Sequence, residues 1–188
     1  MPVLEIVTPP EPVLRKKAIK VAEFSDTRFQ RLVDNMIETM LDAPGVGLAA
    51  PQVAVSKRLI VVRLPDEDEN DREAYGDQAG VVYVVANPKI IKSSREMVNG
   101  VEGCLSLPGL LGEVERHESI VVTGQDRHGK DFRLKAKGWL ARVFQHEIDH
   151  LDGVLFIDRT EKVWQADEDE AEAAGSEVAP DTSSTATE

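Results

Sequence analysis

A single cysteine in 188 residues excludes an internal disulfide and fits a reducing compartment, so we expect a cytoplasmic protein. Long apolar runs are absent too. The longest strongly apolar stretch, Val81 to Ala86, is six residues, far below the roughly 20 of a membrane-spanning helix. The N-terminal stretch MPVLEIVTPPEPVLRKK carries four prolines and an early Glu where a signal peptide would have a charged and then an apolar segment. We therefore expect neither secretion nor a membrane partner. Nor is there a basic surplus: 22 Lys and Arg stand against 34 Asp and Glu, a net charge of −12. Without a basic face, direct nucleic-acid binding driven by phosphate contacts is not expected.

The acidity is uneven. Eight acidic residues and no Lys or Arg lie between Gln165 and Glu188. The same stretch has no aromatic residue and ends in PDTSSTATE, too polar to offset its ordering entropy by burial. We expect residues 1–164 to form one catalytic domain and residues 165–188 a flexible acidic tail, helical for a turn or two after Trp164. Counting Gly and leaving out Tyr, about 47% of the chain is apolar, inside the roughly 45–50% of globular domains. A sizeable core can form.

Residues 1–24 read as an extended, proline-punctuated arm. From Asp26 to Leu41, the residues Phe29, Leu32, Val33, Met36, Ile37, Met40 and Leu41 recur at three- and four-residue steps, one stripe of an amphipathic helix. Ser25 or Asp26 stands where a cap belongs, and Pro44-Gly45 stops the helix. Strands are predicted at Leu59–Leu64, Val81–Ala86 and Lys89–Ser93, with an acidic loop at 66–77 whose role the sequence leaves open. Ser119–Gln125 and Asp131–Ala136 read as a hairpin around Asp126 to Lys130. Gly138–Leu151 returns to helical period. Strands that mostly follow one another, with helices at either end, argue for an α+β fold.

The strongest chemical signal lies on that second helix, in Gln145-His146-Glu147-Ile148-Asp149-His150. Two histidines four apart share a face, so both imidazoles can reach one metal ion. Glu147, next to His146, is placed to carry a proton without being a ligand. Trp139, Leu140 and Val143 put apolar bulk on or beside the His146 face, and unpaired imidazoles buried there would be costly without a ligand. A catalytic metal takes three protein ligands. The metzincin spacing fails, because Phe156 stands where its third histidine belongs, and a downstream Glu would have to come from the acidic tail. Cys104, in Glu102-Gly103-Cys104-Leu105-Ser106, is the remaining soft ligand. The segment Gly45-Val46-Gly47-Leu48-Ala49-Ala50-Pro51-Gln52 lets the backbone pass close to a ligand and ends in an amide able to face a developing oxyanion. His117 and His128 fall in polar, turn-like segments and read as solvated.

The three segments GVGLAAPQ, EGCLS and QHEIDHLDG, in this order, resemble the signature motifs of the peptide deformylases, and the similarity extends over roughly residues 1–163. The resemblance implies an α+β fold of antiparallel sheets packed around a central metal-binding helix. It implies that Cys104, His146 and His150 hold the metal, and that Glu147 is the general acid and base. The Leu105 backbone N–H and the Gln52 side chain would stabilise the oxyanion. Val46, Gly47 and Gly103 would line a groove receiving the peptide as an added strand, with Trp139 and Val143 in the pocket for its methionine. The implied activity is removal of the formyl group from N-formyl-methionyl nascent peptides, with release of formate. Iron(II) is the implied metal, while zinc, cobalt or nickel also suit the donor set. Some deformylases end in a basic helix that docks on the ribosome. This chain ends acidic, so any ribosome contact is expected to be transient. A zinc metallopeptidase of the HExxH type is the competing reading of the same residues.

Overall fold

The computed structural model describes residues 2–43 and 45–167. The first amphipathic stripe forms α1 (Thr27–Asp42), and the Asp26 carboxylate caps it by accepting from Arg28 N–H at 2.8 Å. Phe29, Val33, Met36 and Met40 are buried on β-strands that follow. Leu41, counted on that stripe from spacing, is 52% exposed. Met40 beside it is buried, so the stripe still faces the core and Leu41 lies off its edge.

Five strands form the larger sheet in the order β1 (Gly47–Ala49), β2 (Leu59–Arg63), β3 (Val82–Ser93), β6 (Ser119–Gln125) and β7 (Asp131–Lys137). Every pairing is antiparallel. β3 merges the two strands predicted on either side of Pro88. The register shifts between Ala86 and Lys89, and Asn87 adopts a left-handed φ of 51°. A bulge absorbs the proline's missing donor. The β6–β7 hairpin forms as read: the Asp126 side chain accepts from His128 N–H at 2.8 Å and Lys130 N–H at 3.0 Å. A second sheet joins β4 (Met97–Gly103), β5 (Leu110–His117) and β8 (Val163–Gln165). β4 and β5 escape a reading by alternation because glycines and buried charges interrupt their apolar residues.

The acidic stretch at 66–77 holds a short surface helix, α2 (Glu69–Tyr75), capped by Asp68 and with no buried residue. After Trp164 the chain is still a strand through Gln165, and Ala166 N–H donates to Gly109 O at 2.8 Å, so the expected helical turn is absent at 165–167. The acidic tail from 168 onward lies outside the described residues. The N-terminal arm wraps the domain as expected: Val7 N–H donates to Gln52 O, and Ala18 N–H to Leu151 O.

Between the two sheets runs α3 (Gly138–Leu151), with 11 of its 14 residues buried. A helix buried all round belongs in the centre of a domain. Its apolar members, Leu140, Ala141, Val143, Phe144, Ile148 and Leu151, join the core formed by β2, β3 and β6. Phe144 has no exposed surface, so truncating it to Ala should cost roughly 3–5 kcal/mol. Of the buried polar residues of α3, Arg142, Glu147, Asp149 and His150 bear on the region described next, while Gln145 bonds the His117 backbone. No helix among the described residues is long and apolar enough to cross a membrane.

Candidate metal centre

Cys104 follows the last residue of β4, and His146 and His150 stand one turn apart on α3. The fold brings these three together. Cys104 Sγ lies 3.3 Å from His150 Nε2, which lies 3.2 Å from His146 Nε2, and the three donor atoms all fall within 4.8 Å of one another. His146 Nδ1 faces Glu102 Oε2 at 2.9 Å. With Nδ1 donating to that carboxylate, Nε2 carries the lone pair, directed at Cys104 and His150. Two imidazole nitrogens facing a thiol sulfur across such distances make a donor set for a soft to borderline divalent ion. The residues fit a metal.

The electrostatics of the two rings differ. Burial alone would lower the His146 pKa, but the Cys104 thiol and the Glu102 carboxylate outweigh it and raise it well above the usual imidazole value. Both neighbours thus favour positive charge at that ring. Burial, and then the charge of His146, push His150 the other way, well below its ordinary value. Buried Nδ1 of His150 has no hydrogen-bond partner among the described residues. A histidine kept neutral is the form that ligates metals.

Glu147 is also on α3 and 4% exposed. Burial pushes its carboxyl up to about 7, and its Oε2 has no partner among the described residues. A carboxyl near neutrality suits proton transfer in both directions. Space for it comes from β1: a Cβ on Gly47 would overlap Glu147 Oε1. Gln52 is oriented by its own turn. Its Oε1 accepts from Ala49 N–H at 2.8 Å, which leaves Nε2 to face Cys104 Sγ at 3.6 Å. The amide donor therefore points at the three-residue cluster.

A cavity of about 370 Å³ opens beside this cluster. Val46, Gly47, Gly103, Leu105 and Val143, all singled out from sequence, line it together with Trp139. Sequence reasoning missed Glu102, Arg116 and Arg142. Glu102 is 3% exposed and is held by the Arg116 guanidinium through two hydrogen bonds of 2.9 Å. Arg116 in turn donates to Asp149 at 2.6 Å, which also pairs with Arg159. An acid adjoining a candidate ligand segment, in a chain with a two-histidine helix, was the available signal for Glu102. His117 is half-buried and not solvated as read: its Nδ1 lies 2.9 Å from Ser94 O, and Gln145 grips its backbone from both sides. His128 is exposed.

Comparison with known proteins gives one answer. The sequence model of the family "Polypeptide deformylase" matches residues 3–166. A peptide deformylase from Symbiobacterium thermophilum is 49% identical over 179 residues, covering 95% of this chain and 76% of that protein. One from Thermus thermophilus is 52% identical over 155 residues, covering 81% of this chain and 79% of the other. Among solved structures, the class I type b peptide deformylase of Acinetobacter baumannii with Met-Ala-Ser bound superposes with a TM-score of 0.76. It is 39% identical, over 85% of this chain and 99% of that one. The peptide deformylase of Ehrlichia chaffeensis in complex with actinonin gives 0.77 at 40% identity, over 93% and 94% of the two chains.

Proposed function

The chain belongs to the peptide deformylase family and removes the N-formyl group from nascent peptides, and we propose that Cys104, His146 and His150 hold its metal while Glu147 moves the proton. The observation that carries this reading is the convergence of one sulfur and two imidazole nitrogens beside a buried carboxyl. The competing HExxH-type metallopeptidase is not favoured, since the family match and the relatives are deformylases.

A bound divalent ion supplies Lewis acidity, which makes water a competent nucleophile near neutral pH and polarises the formyl carbonyl. Glu147 takes a proton from the attacking water, and the new C–O bond forms at the formyl carbon. Negative charge then collects on the former carbonyl oxygen. The Leu105 backbone N–H and Gln52 Nε2 donate to it; the bond from Ala49 that holds the Gln52 side chain in place supports that role. As the C–N bond breaks, Glu147 returns its proton to the departing amine, releasing formate and a peptide with a free amino terminus. Glu102 holds His146 in the ligating tautomer.

The substrate is read as an added strand. β1 and β4 each pair with a neighbour on one side only, and Val46, Gly47 and Gly103 stand at those edges beside the cavity. Val143 and Trp139 supply apolar surface for a methionine side chain. That a relative of this fold is known with Met-Ala-Ser bound supports an N-terminal methionine there. Iron(II) is our choice of metal, with the cytoplasm as location and any ribosome contact brief. A catalytic domain of residues 1–164 completes the proposal. Anaerobic metal analysis paired with formate release from formyl-Met-Ala-Ser tests it. One equivalent of iron with turnover is expected, and a metal-replete protein that releases no formate would overturn it.

A further inference from the structure

Arg142 is used by none of the steps above, yet it is among the most constrained side chains of the molecule. It stands one turn before His146 on α3, and its side chain is 8% exposed. Its Nη1 donates to Glu102 Oε1 and to the Val114 carbonyl, both at 2.8 Å, and reaches the Gly100 carbonyl at 3.4 Å. Its Nη2 donates to the Val98 carbonyl at 2.7 Å. Val98, Gly100 and Glu102 belong to β4, and Val114 to β5. One guanidinium thus ties the helix that bears two imidazoles to the strand that runs into the thiol.

Two observations separate this contact from simple charge neutralisation. Glu102 already has a bidentate partner in Arg116, so its charge does not require a second guanidinium. Further, Gly100 is shaped to the contact: a Cβ there would stand 2.8 Å from Cζ and Nη2 of Arg142. The planar fork of arginine can satisfy several carbonyls at fixed angles, which the single ammonium of lysine cannot.

We propose that Arg142 is a positioning residue that sets the separation of Cys104 from His146 and His150, and with it the affinity and geometry of the metal centre. The inference rests on the ligand assignment given above. Positional errors of this kind matter because metal affinity depends on groups that orient the ligands; changes to such groups typically cost about 10–100-fold.

The test uses the full chain, loaded anaerobically with cobalt(II) alone. Dissociation constants from chelator competition, and the absorption bands of the cobalt–thiolate chromophore, are recorded for wild type, Arg142→Met, Arg142→Lys and Gly100→Ala. We expect both arginine variants to bind cobalt about tenfold or more weakly, with shifted bands. Gly100→Ala, which keeps the arginine but crowds its seat, should weaken binding by a smaller factor. Combining Arg142→Lys with Gly100→Ala should give less than the product of the separate effects, since both act on one contact. If Arg142→Met fails to fold, Arg142→Lys and Gly100→Ala decide the matter. Lower resistance to urea with unchanged cobalt affinity and unchanged bands would overturn the inference, leaving Arg142 a purely structural clasp. A wild-type protein that binds no cobalt would overturn the ligand assignment itself, and this inference with it.

Discussion

Gly47 on β1 and Glu147 on α3 share one small volume: the carboxylate sits where a side chain on residue 47 would have to be. A methyl group at that position must displace Glu147, because the strand behind it is fixed by its pairing with β2. For Gly47→Ala we expect the metal content to be unchanged and kcat/KM to fall by roughly 10²-fold, the order of loss that a 1 Å misplacement brings. Formate release and metal analysis on the same sample check this. Full activity would mean that the carboxylate has room the structure does not show.

Replacing Glu147 by Gln keeps the shape and removes the carboxyl to which we assign proton transfer. The expected loss in kcat is on the order of 10²–10⁴, with metal retained. Near-wild-type turnover would sink the assigned role.

How much of this was legible in the sequence depends on where each residue finds its partner. Helix α1, helix α3, β2 and the β6–β7 hairpin announce themselves through local period and turn chemistry, because Phe29, Val33 and Met36, or Asp126 and Gly129, act on near neighbours. His146 and His150 were legible because helical spacing by itself puts them side by side, and Glu147 because it adjoins His146 in the chain. Glu102 and Arg116 were not. Each looks like a surface charge until β4 and β5 pair, and they lie 14 residues apart with no periodic sign of the bond between them. Arg142 is harder still, since three of its four acceptors are main-chain carbonyls, on which side-chain identity leaves no mark.

The Glu102 carboxylate accepts from Arg116, Arg142 and His146 in a region with almost no solvent. Glu102→Ala removes the carboxylate paired with Arg142 and one of the two paired with Arg116, the other being Asp149. We expect unfolding free energy to drop by about 3–5 kcal/mol, seen as a lower urea midpoint, together with weaker metal retention. A variant as stable as wild type would show that the network contributes no net stability.

Oxygen should distinguish iron from its competitors. Cys104 is half-buried and lines the open cavity, so oxidants reach its sulfur. Aerobic preparations should lose activity, and mass spectrometry should find added oxygen on the peptide containing Cys104. Anaerobic protein, or protein reloaded with cobalt or nickel while the thiol is intact, should hold its rate. Equal activity in both preparations, with zinc present and Cys104 unmodified, would rule against iron.

Seven of the eight acidic residues after Gln165 lie beyond Asp167. Removing residues 168–188 should change kcat/KM for short neutral formyl peptides by less than about threefold, because a stretch with seven acids and no aromatic residue has little apolar surface to bury. Ala166, whose N–H bonds Gly109 O, stays in place. A larger loss at constant metal content would assign those residues a part in catalysis.

The parts of the centre are near in space but remote along the chain. Cys104 and His150 are 46 residues apart, Glu102 and His146 44, and Gln52 and Cys104 52. Contacts of such separation close late, because loop entropy must be overcome before they stabilise anything. Until β4 has docked on α3, the thiol stands apart from the two imidazoles, which the helix alone holds on one face. During refolding, a cobalt chromophore would therefore appear only with the finished tertiary structure, after helix content has returned. A cobalt–thiolate band would thus report the meeting of β4 and α3, readable by eye in a cuvette.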